Sequence, residues 1–353
     1  ADAAAPRFEH RRGCFAELYL AKLCDNKRIC QKREKTMIII KVMGGLGNQM
    51  QQYALYEKFR ALGKEAKLDI SWFEDAAQQE KVLAKRSLEL RQFDNMQFET
   101  ASRGECEALL GKGALAGAGG SPAGKGLSGL SVLLEKMKRK LNPASSPHFY
   151  ETDMYHPEIF SFENKYLEGH WACEKYYHDI MPLLREKIRF PESGNSQNIH
   201  AAERMELENS VSVHIRRGDY LDPENAGMFG GICTDAYYET AMNYVREQLP
   251  DVHFYMFSDD PAYLKEHFQG AEYTIVDWNR GADSFFDCEL MSHCRANICA
   301  NSTFSFWGAR LNGRKDKITI RPAKHKNSQV IDPVQMHELW EGWVLVDEMG
   351  KVL

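Results

Sequence analysis

The stretch at residues 212–219, which reads SVHIRRGD, constrains the fold more than any other part of the chain. Val211 and Val213 alternate with a small polar residue, and this alternation predicts a buried strand. The strand then ends in a histidine, two arginines, a glycine and an aspartate. A guanidinium is costly to bury unless it is paired, so the strand end needs a partner for its charge. Because open α/β sheets bind ligands at the carboxyl ends of their strands, the stretch predicts an anion site there.

The two arginines at this strand end have different expected roles. Arg216 and Arg217 are adjacent, so they point to opposite faces of an extended chain, and one can face a cleft while the other braces the protein. A planar guanidinium suits a phosphate better than a lysine does. Asp219 lies close to the same opening and can act as a general base or hold an arginine in place. The alternative for the whole motif is a pair of interdomain salt bridges.

Length and charge limit the class of protein. The chain has 353 residues with 43% hydrophobic composition, which favours two domains over one. Residues 191–198 are polar and contain proline and glycine, so we place the boundary there, with one domain at 37–195 and the other at 196–353. Residues 1–36 are charged without a strand pattern and are expected to be an extension outside the fold. A net charge of -5 argues against a nucleic-acid partner.

Cysteine usage and hydropathy indicate a cytoplasmic protein without a metal. The nine cysteines form no C-x-x-C pair. Cys288, His293, Cys294 and Cys299 cluster, but their spacing fits no common zinc pattern and favours core packing. We therefore expect reduced thiols and a cytoplasmic location. No apolar stretch is long enough to span a membrane. Residues 14–24 can form an amphipathic helix but not a signal sequence, which leaves peripheral association with the inner membrane open.

The order of predicted elements is that of an α/β protein with parallel sheets. A strand at 37–43, a glycine-rich turn at 44–49, a helix at 50–62 and a strand at 67–70 open the first sheet. Residues 104–131 are rich in glycine, alanine and serine and predict a flexible loop or a mobile lid, and the basic residues 136–140 predict a solvated helix face. The later pattern predicts strands at 166–171, 252–257, 273–276, 296–300 and 318–320, helices at 176–188, 283–294 and 304–311, and a tail at 340–346.

The glycine-rich turn is a second candidate for ligand binding. Gly44, Gly45 and Gly47 allow backbone N–H groups to approach a ligand at the start of a helix. The spacing is neither G-x-G-x-x-G nor that of a phosphate-binding P-loop, and a tight structural turn explains it about as well. Asn48 and Gln49 follow the turn, and their amides suit sugar hydroxyls.

Two further motifs follow predicted strands. Asp259 and Asp260 indicate a metal site or recognition of a guanine edge by a carboxylate, and the alternative is that one of them caps the helix that starts at Pro261. Ser302 and Thr303 stand at another helix start, where they can cap the helix and donate to a phosphate. The aromatic residues that follow them, Phe306 and Trp307, are expected in the core.

Taken together, the motifs resemble those of bacterial α-1,2-fucosyltransferases, glycosyltransferase family 11. The resemblance covers roughly Met37 to the C-terminus. The H-x-R-R-x-D signature is shared with α-1,6- and protein O-fucosyltransferases, so by itself it indicates fucosyl transfer and not the linkage. The other motifs narrow the resemblance to the α-1,2 family. The segments that carry it are GGLGNQM at 44–50, HIRRGD at 214–219, FSD at 257–259 and NSTFS at 301–305.

The resemblance implies a GT-B fold, with two Rossmann-like domains facing a cleft and GDP-β-L-fucose held mainly by the C-terminal one. It places Arg216 on the donor diphosphate, His214 and Asp259 on the guanosine, and Ser302 and Thr303 near the phosphates. It also implies that Asn48, Gly45 and Gly47 contact the donor from the N-terminal domain, on the other side of the cleft. No metal or other cofactor is expected, because Arg216 can compensate the charge of the leaving diphosphate.

The implied reaction is inverting transfer of fucose to the 2-hydroxyl of a terminal β-galactose. The acceptor is a β-galactoside such as lactose or a lacto-N-type chain. Asp219 is the first candidate for the general base and Glu224 the second. The alternatives are a fucosyltransferase of another linkage, a GT-B enzyme that uses another nucleotide sugar, and a nucleotide- or glycan-binding module without catalysis. A P-loop NTPase is disfavoured, because no Lys-Ser/Thr pair follows Gly47.

Overall fold

Two separate parallel β-sheets form the framework of the protein. The computed structural model describes residues 36–76, 80, 86–111, 145–152 and 154–353. Met37–Leu353 make up one compact unit that contains both sheets. The first sheet has the strand order β2-β1-β4-β3 and the second has the order β10-β9-β8-β5-β6-β7. The strands are β1 Met37–Lys41, β2 Glu65–Asp69, β3 His148–Tyr150, β4 Lys165–Glu168, β5 Asn209–Ile215, β6 Val252–Ser258, β7 Tyr273–Val276, β8 Ala296–Ile298, β9 Ile318–Pro322 and β10 Trp343–Val346.

Helices connect the parallel strands, as a parallel sheet requires. They are α1 Leu46–Ala61, α2 Ser71–Glu74, α3 Arg103–Leu110, α4 Met181–Lys187, α5 Ser196–Leu207, α6 Pro223–Phe229, α7 Asp235–Gln248, α8 Pro261–His267, α9 Phe286–His293, α10 Thr303–Leu311 and α11 Pro333–Leu339. Short 3₁₀ turns occur at Glu89–Gln92, Pro157–Ser161, Glu174–Tyr176, His178–Ile180, Gly218–Leu221 and Gly281–Phe285. Two α/β regions, each built on its own parallel sheet, confirm the predicted GT-B class of fold. Within the described ranges, no helix combines the length and apolarity needed to cross a bilayer.

The strand that the charged motif predicted lies near the middle of the second sheet. β5 pairs with β6 on one side and β8 on the other. Val211 and Val213 are fully buried, as expected of a strand covered on both faces. The division at residues 195 and 196 stays a prediction. α5, which the sequence pattern did not reveal, begins just after it and packs on β5 and α9.

The glycine-rich turn is shorter than predicted. The turn is confined to Gly44, which has a φ of +84°, and Gly45, and α1 begins at Leu46 instead of residue 50. Gly47 therefore lies inside the first turn of the helix. A Cβ atom there would stand 2.5 Å from the carbonyl carbon of Thr303, so this glycine permits close packing of α1 on α10. The prediction that Gly47 belongs to the turn is therefore wrong, because Gly47 is a packing glycine inside the helix.

Two other predicted elements need correction. The predicted helix at 176–188 is broken into 3₁₀ turns followed by α4, because Pro182 fits only near the start of a helix. The first residues of the predicted loop at 104–131 instead belong to the helix α3. Ser102 and Glu105 form a capping box at the start of this helix. The rest of that loop, the basic stretch at 136–140 and the predicted segments before residue 36 lie outside the described residues.

The hydrophobic core continues from one sheet to the other. Phe306 and Trp307 on α10 are fully buried, as predicted, and the Trp307 ring stacks on Tyr177 with centroids 5.8 Å apart. Cys288 and Cys299 belong to the same core, and Cys294 is buried beside it. The expectation that these cysteines pack in the core is confirmed.

Gly47→Ala is expected to destabilise the fold by about 1–3 kcal/mol, because the added methyl group forces the α10 backbone away from α1. The measurement is the free energy of unfolding in urea. Gly104→Ala is the matched control, since a Cβ atom at that helical position meets open space and leaves the stability unchanged or slightly raised. Equal stability of both variants would contradict the close packing described for Gly47.

Candidate active site

The carboxyl edge of the second sheet carries a charged pair that joins two of the sequence motifs. The register of β5 and β6 sets Ile215 opposite Ser258, so the residues that follow the two strands are neighbours. The Nη1 atom of Arg216 lies 2.7 Å from Oδ2 of Asp259, and both side chains are 25% exposed. The pair is thus partly desolvated but still open to a ligand.

Asp259 also holds the backbone that follows Arg216. Its Oδ1 accepts a hydrogen bond of 3.0 Å from the backbone N–H of Arg217. Gly218 is needed here, because a Cβ atom at that position would lie 2.4 Å from Oδ2 of Asp259. One carboxylate therefore fixes the side chain of the first arginine and the main chain of the second.

Arg217 makes its contacts with neighbouring parts of the same sheet. Its Nε lies 3.2 Å from Oδ2 of Asp260, and its guanidinium stacks on the Tyr263 ring, 3.7 Å from the centroid. Asp260 accepts a hydrogen bond from the backbone N–H of Tyr263 and so caps α8. The alternative that one of the two aspartates caps this helix is thus confirmed for Asp260. Both arginines thus form ion pairs within the second sheet, with residues that follow β6.

His214 is a buried, neutral imidazole below this pair. Burial and the nearby Arg216 guanidinium lower the pKa of His214 to about 3. Its backbone carbonyl accepts a hydrogen bond of 2.9 Å from the Tyr238 hydroxyl, and its Nδ1 is buried without a protein partner among the described residues. A neutral ring of this kind offers one donor and one acceptor to a ligand.

Both candidate bases belong to the chain segment that follows Arg217. Asp219 lies in the 3₁₀ turn Gly218–Leu221 and Glu224 lies in the first turn of α6. Their side chains are outside the part of the chain that the structure describes. Their roles stay predictions.

The glycine-rich turn and the motif at 301–305 meet in space. The Thr303 hydroxyl donates a hydrogen bond of 2.9 Å to Oδ1 of Asn48, which joins the starts of α10 and α1. Ser302 is the N-cap residue of α10, and its side chain makes no capping bond. Gly45 is the N-cap residue of α1 and faces Arg86, whose Nη1 would lie 3.6 Å from an added Cβ atom. These residues bring the carboxyl edges of the two sheets together.

Gln49 does not serve as a sugar contact. The side chain is fully buried, and its Nε2 donates to the backbone carbonyls of Gly44 and Ser87 at 2.9 Å. Its Oε1 accepts from the backbone N–H of Glu89 at 2.8 Å. The expectation that its amide faces sugar hydroxyls is therefore wrong, because three backbone groups already occupy it.

Asn301 is buried and hydrogen-bonded to three other segments of the chain, whereas the sequence motif predicted only a place at a helix start. Its Nδ2 donates to the carbonyls of Phe229 and His325, and its own carbonyl accepts from the Tyr220 hydroxyl at 3.0 Å. It thereby fixes the segment after Arg217 against the segment after β9. A polar residue directly after a buried strand was the signal that could have revealed this role.

A cavity of about 490 Å³ opens beside the paired arginines. Arg216, Arg217 and Tyr220 line it at the sheet edge, and Arg246 lines it near the end of α7. Arg216 is therefore positioned to meet a bound anion at the edge of a cavity of ligand size.

Comparison with known families places this site in a glycosyltransferase. The family model described as glycosyl transferase family 11 matches residues 149–346, and the chain belongs to this family. A relative from Escherichia coli, the O-antigen biosynthesis glycosyltransferase WbnK, is 31% identical over 289 residues, which are 80% of this chain and 92% of the relative.

Other similar proteins differ in the sugar that they transfer. An α-1,2-colitosyltransferase from Escherichia coli is 32% identical over 56% of this chain and 69% of its own length. Galactoside α-(1,2)-fucosyltransferase 1 from Ateles belzebuth is 25% identical over 42% of this chain and 43% of its own length. Among solved structures, the fucosyltransferase NodZ from Bradyrhizobium aligns with 78% of this chain and 92% of its own, with a TM-score of 0.41 and 12% identity.

The hydrogen bond between Thr303 and Asn48 is expected to contribute about 0.5–1.5 kcal/mol to stability. A double-mutant cycle of Asn48→Ala and Thr303→Val in urea unfolding measures it as a coupling energy. Thr303→Ser keeps the hydroxyl and should retain the coupling. A coupling energy near zero between Asn48→Ala and Thr303→Val would contradict a stabilising contact between the two helix starts.

Proposed function

We propose that this protein transfers L-fucose from GDP-β-L-fucose to the 2-hydroxyl of a terminal β-galactose, with inversion at the anomeric carbon. The observation that carries the proposal is Arg216, held by Asp259 at the carboxyl edge of the second sheet and open to a cavity of about 490 Å³. Membership of family 11 supports the reaction class, and the similarity to a galactoside α-(1,2)-fucosyltransferase supports the donor and the linkage.

Arg216 compensates the charge of the leaving diphosphate in this proposal. Breaking the bond between fucose and GDP builds negative charge on the diphosphate, and a fixed guanidinium stabilises that charge more in the transition state than in the bound donor. Asp259 orients Arg216 before the donor binds, because it holds both the guanidinium and the backbone beyond it. The guanosine contact that the resemblance gives to Asp259 stays part of the proposal. No metal is required, since Arg216 supplies the positive charge.

Residues from both sheets surround the donor. Ser302 and Thr303, at the start of α10, offer a helix N-terminus to the phosphates. His214 is neutral and contacts the nucleoside. Asn48 lies near the reacting fucose in this proposal, and Gly45 is at the same helix start. Gly47 contributes indirectly, because it lets α1 pack closely on α10.

The chemical step is a single displacement through an oxocarbenium-like state. The acceptor 2-hydroxyl forms a bond to the anomeric carbon while the bond to the diphosphate oxygen breaks, so a β donor gives an α product. The hydroxyl proton passes to a carboxylate, for which Asp219 is the first candidate and Glu224 the second.

A second candidate function is the transfer of another sugar from its nucleotide donor. The similarity to an α-1,2-colitosyltransferase, at 32% identity, specifically favours this alternative. A cytoplasmic location remains part of the main proposal, since each of the six cysteines in the described part of the chain is a free thiol.

A donor and acceptor screen tests the function. The full chain is incubated with lactose, and separately with a β1,3-galactoside, in the presence of GDP-fucose, GDP-mannose, UDP-galactose or nucleotide-activated colitose. We expect GDP release and an α-1,2-fucosylated product with GDP-fucose. Turnover of activated colitose in preference to GDP-fucose would establish the second candidate instead.

Arg216→Ala is expected to reduce turnover by at least about a hundredfold and to weaken GDP binding, because the leaving diphosphate loses its counter-charge. Steady-state kinetics and GDP titration calorimetry measure the two effects. Arg204→Ala, which removes an exposed arginine paired with Glu208 on α5, is the control and should leave both unchanged. Near-normal kinetics of Arg216→Ala would refute the assignment.

Asp219→Asn is expected to lower kcat far more than it raises KM for the donor, because the carboxylate acts on the acceptor proton in the chemical step. Glu224→Gln is the paired variant. If only the donor KM changes in Asp219→Asn while kcat falls in Glu224→Gln, then Glu224 is the base and Asp219 binds the donor.

A further inference from the structure

Three polar side chains outside the donor site lie at the carboxyl ends of strands that face one another. Glu151 follows β3, His170 follows β4 and His325 lies beyond the end of β9. β3 and β4 are neighbours in the first sheet, whereas β9 belongs to the second. Gln329 bridges the two sides, since its Nε2 donates to Sδ of Met154 and its Oε1 accepts from the backbone N–H of His325.

Glu151 is held rigidly at this position. Its Oε2 accepts hydrogen bonds of 2.7 Å from the backbone N–H groups of His170 and Trp171, and its Oε1 takes no part in either. Gly169 makes room for it, because a Cβ atom there would lie 2.5 Å from the Glu151 Cβ atom. Trp171 has a φ of +56°, a strained conformation for a side chain of its size. Backbone strain of this kind concentrates at functional sites.

The cluster adjoins the donor site through a wall of side chains. The Arg216 guanidinium lies 5.5 Å from the Tyr220 ring centroid, Tyr220 stacks on Phe229 at 5.0 Å, and Phe229 lies 6.2 Å from the His325 ring. Asn301 ties the two ends of this wall together through the carbonyl of His325 and the hydroxyl of Tyr220. The cluster is therefore connected to Arg216 through three successive side-chain contacts.

The chemistry of the cluster suits an uncharged sugar. Burial lowers the pKa of His325 to about 3, with Arg321 and His170 acting in the same direction. His170 is partly exposed, yet the surrounding protein and Lys326 lower its pKa as well. Each ring is thus neutral at pH 7 and offers one donor and one acceptor, while Glu151 offers a carboxylate oxygen. Neighbouring hydroxyl groups of a sugar require both donors and acceptors from the protein, since each hydroxyl group both donates and accepts hydrogen bonds.

We propose that Glu151, His170 and His325 form the acceptor subsite, in which Glu151 accepts a hydrogen bond from a hydroxyl of the terminal galactose and the two imidazoles bind its other hydroxyls. This inference rests on the proposed function, since it names the residues that hold the acceptor in that reaction. It adds a second site, formed by the segments after β3 and β4 in the first sheet and after β9 in the second, apart from Arg216 at the end of β5.

Glu151→Gln tests the subsite. The amide oxygen still accepts the two backbone hydrogen bonds, so the fold is retained, but the charge-assisted bond to the acceptor is lost. We expect KM for lactose to rise about tenfold, with GDP affinity by calorimetry within twofold of the unaltered protein. Glu163→Gln, on an exposed residue before β4, is the matched control and should change neither.

The pH profile separates binding from support of the fold. Burial raises the pKa of Glu151 to about 7 against the opposing hydrogen bonds and Lys326. The lactose KM of the unaltered protein should therefore rise as pH falls from 8 to 6 and the carboxylate becomes protonated, and Glu151→Gln should remove this dependence. Burial raises the pKa of the neighbouring Cys173 thiol and of the Tyr176 and Tyr177 phenols away from this range. Burial also lowers the pKa of His170, and Lys326 is the neighbouring cation that acts on both His170 and Glu151.

The outcomes are distinguishable. If the unaltered protein fails to fucosylate either galactoside, the proposed function fails. If it does fucosylate them and Glu151→Gln leaves the lactose KM and its pH dependence unchanged, the acceptor subsite alone is refuted. His325→Asn provides a second test from the other sheet, since it should raise the lactose KM while GDP affinity stays within twofold.

Discussion

The contact between the starts of α1 and α10 is the constraint on which the rest of the site depends. Each helix begins at the carboxyl edge of one sheet, and they meet at backbone distance because Gly47 has no side chain. The hydrogen bond from Thr303 to Asn48 joins the same two turns. β8, which leads into α10, lies between β5 and β9 in the sheet order. The contact therefore contains two of the proposed donor residues, Asn48 and Thr303, while Arg216 after β5 and His325 after β9 lie on opposite sides of β8 in the sheet order.

Two buried arginines bring positive charge into the aromatic core, where both lie over the Trp340 ring. Arg310 is fully buried, donates to the carbonyl of Ala172 and lies 3.4 Å from a Glu174 oxygen. Arg321 stacks on the Trp340 ring at 3.7 Å, and burial, with Arg310 nearby, lowers its pKa to about 9. Arg321 remains cationic at pH 7, and in a medium of low dielectric its field extends further than in water. The low pKa of His325 follows first from its burial, and the Arg321 charge acts in the same direction.

The sequence predicted those parts of the molecule whose pattern is local. The alternation around Val213 and the polar residues after β5 and β6 indicated the strand ends, and the strand end brings Arg216 and Asp259 together as neighbours in register. Gln49 was misjudged because nothing in the sequence near it shows the backbone groups of residues 87–89 that occupy its amide. Glu151 and His325 are separated by more than 170 residues, and only the pairing of strands across two sheets brings them to one place. Hydrophobic periodicity carries no information on such long-range juxtapositions.

Gly47 has a mechanical consequence for substrate access. Two backbones in direct contact resist sliding and separation more than they resist rotation about the contact point. Since β5 and β9 flank β8 in the sheet order, a rotation about this contact within the plane of the second sheet would move their ends in opposite directions. The helix contact would be the pivot of such a rotation, with Arg216 after β5 and His325 after β9 on opposite sides of it in the sheet order.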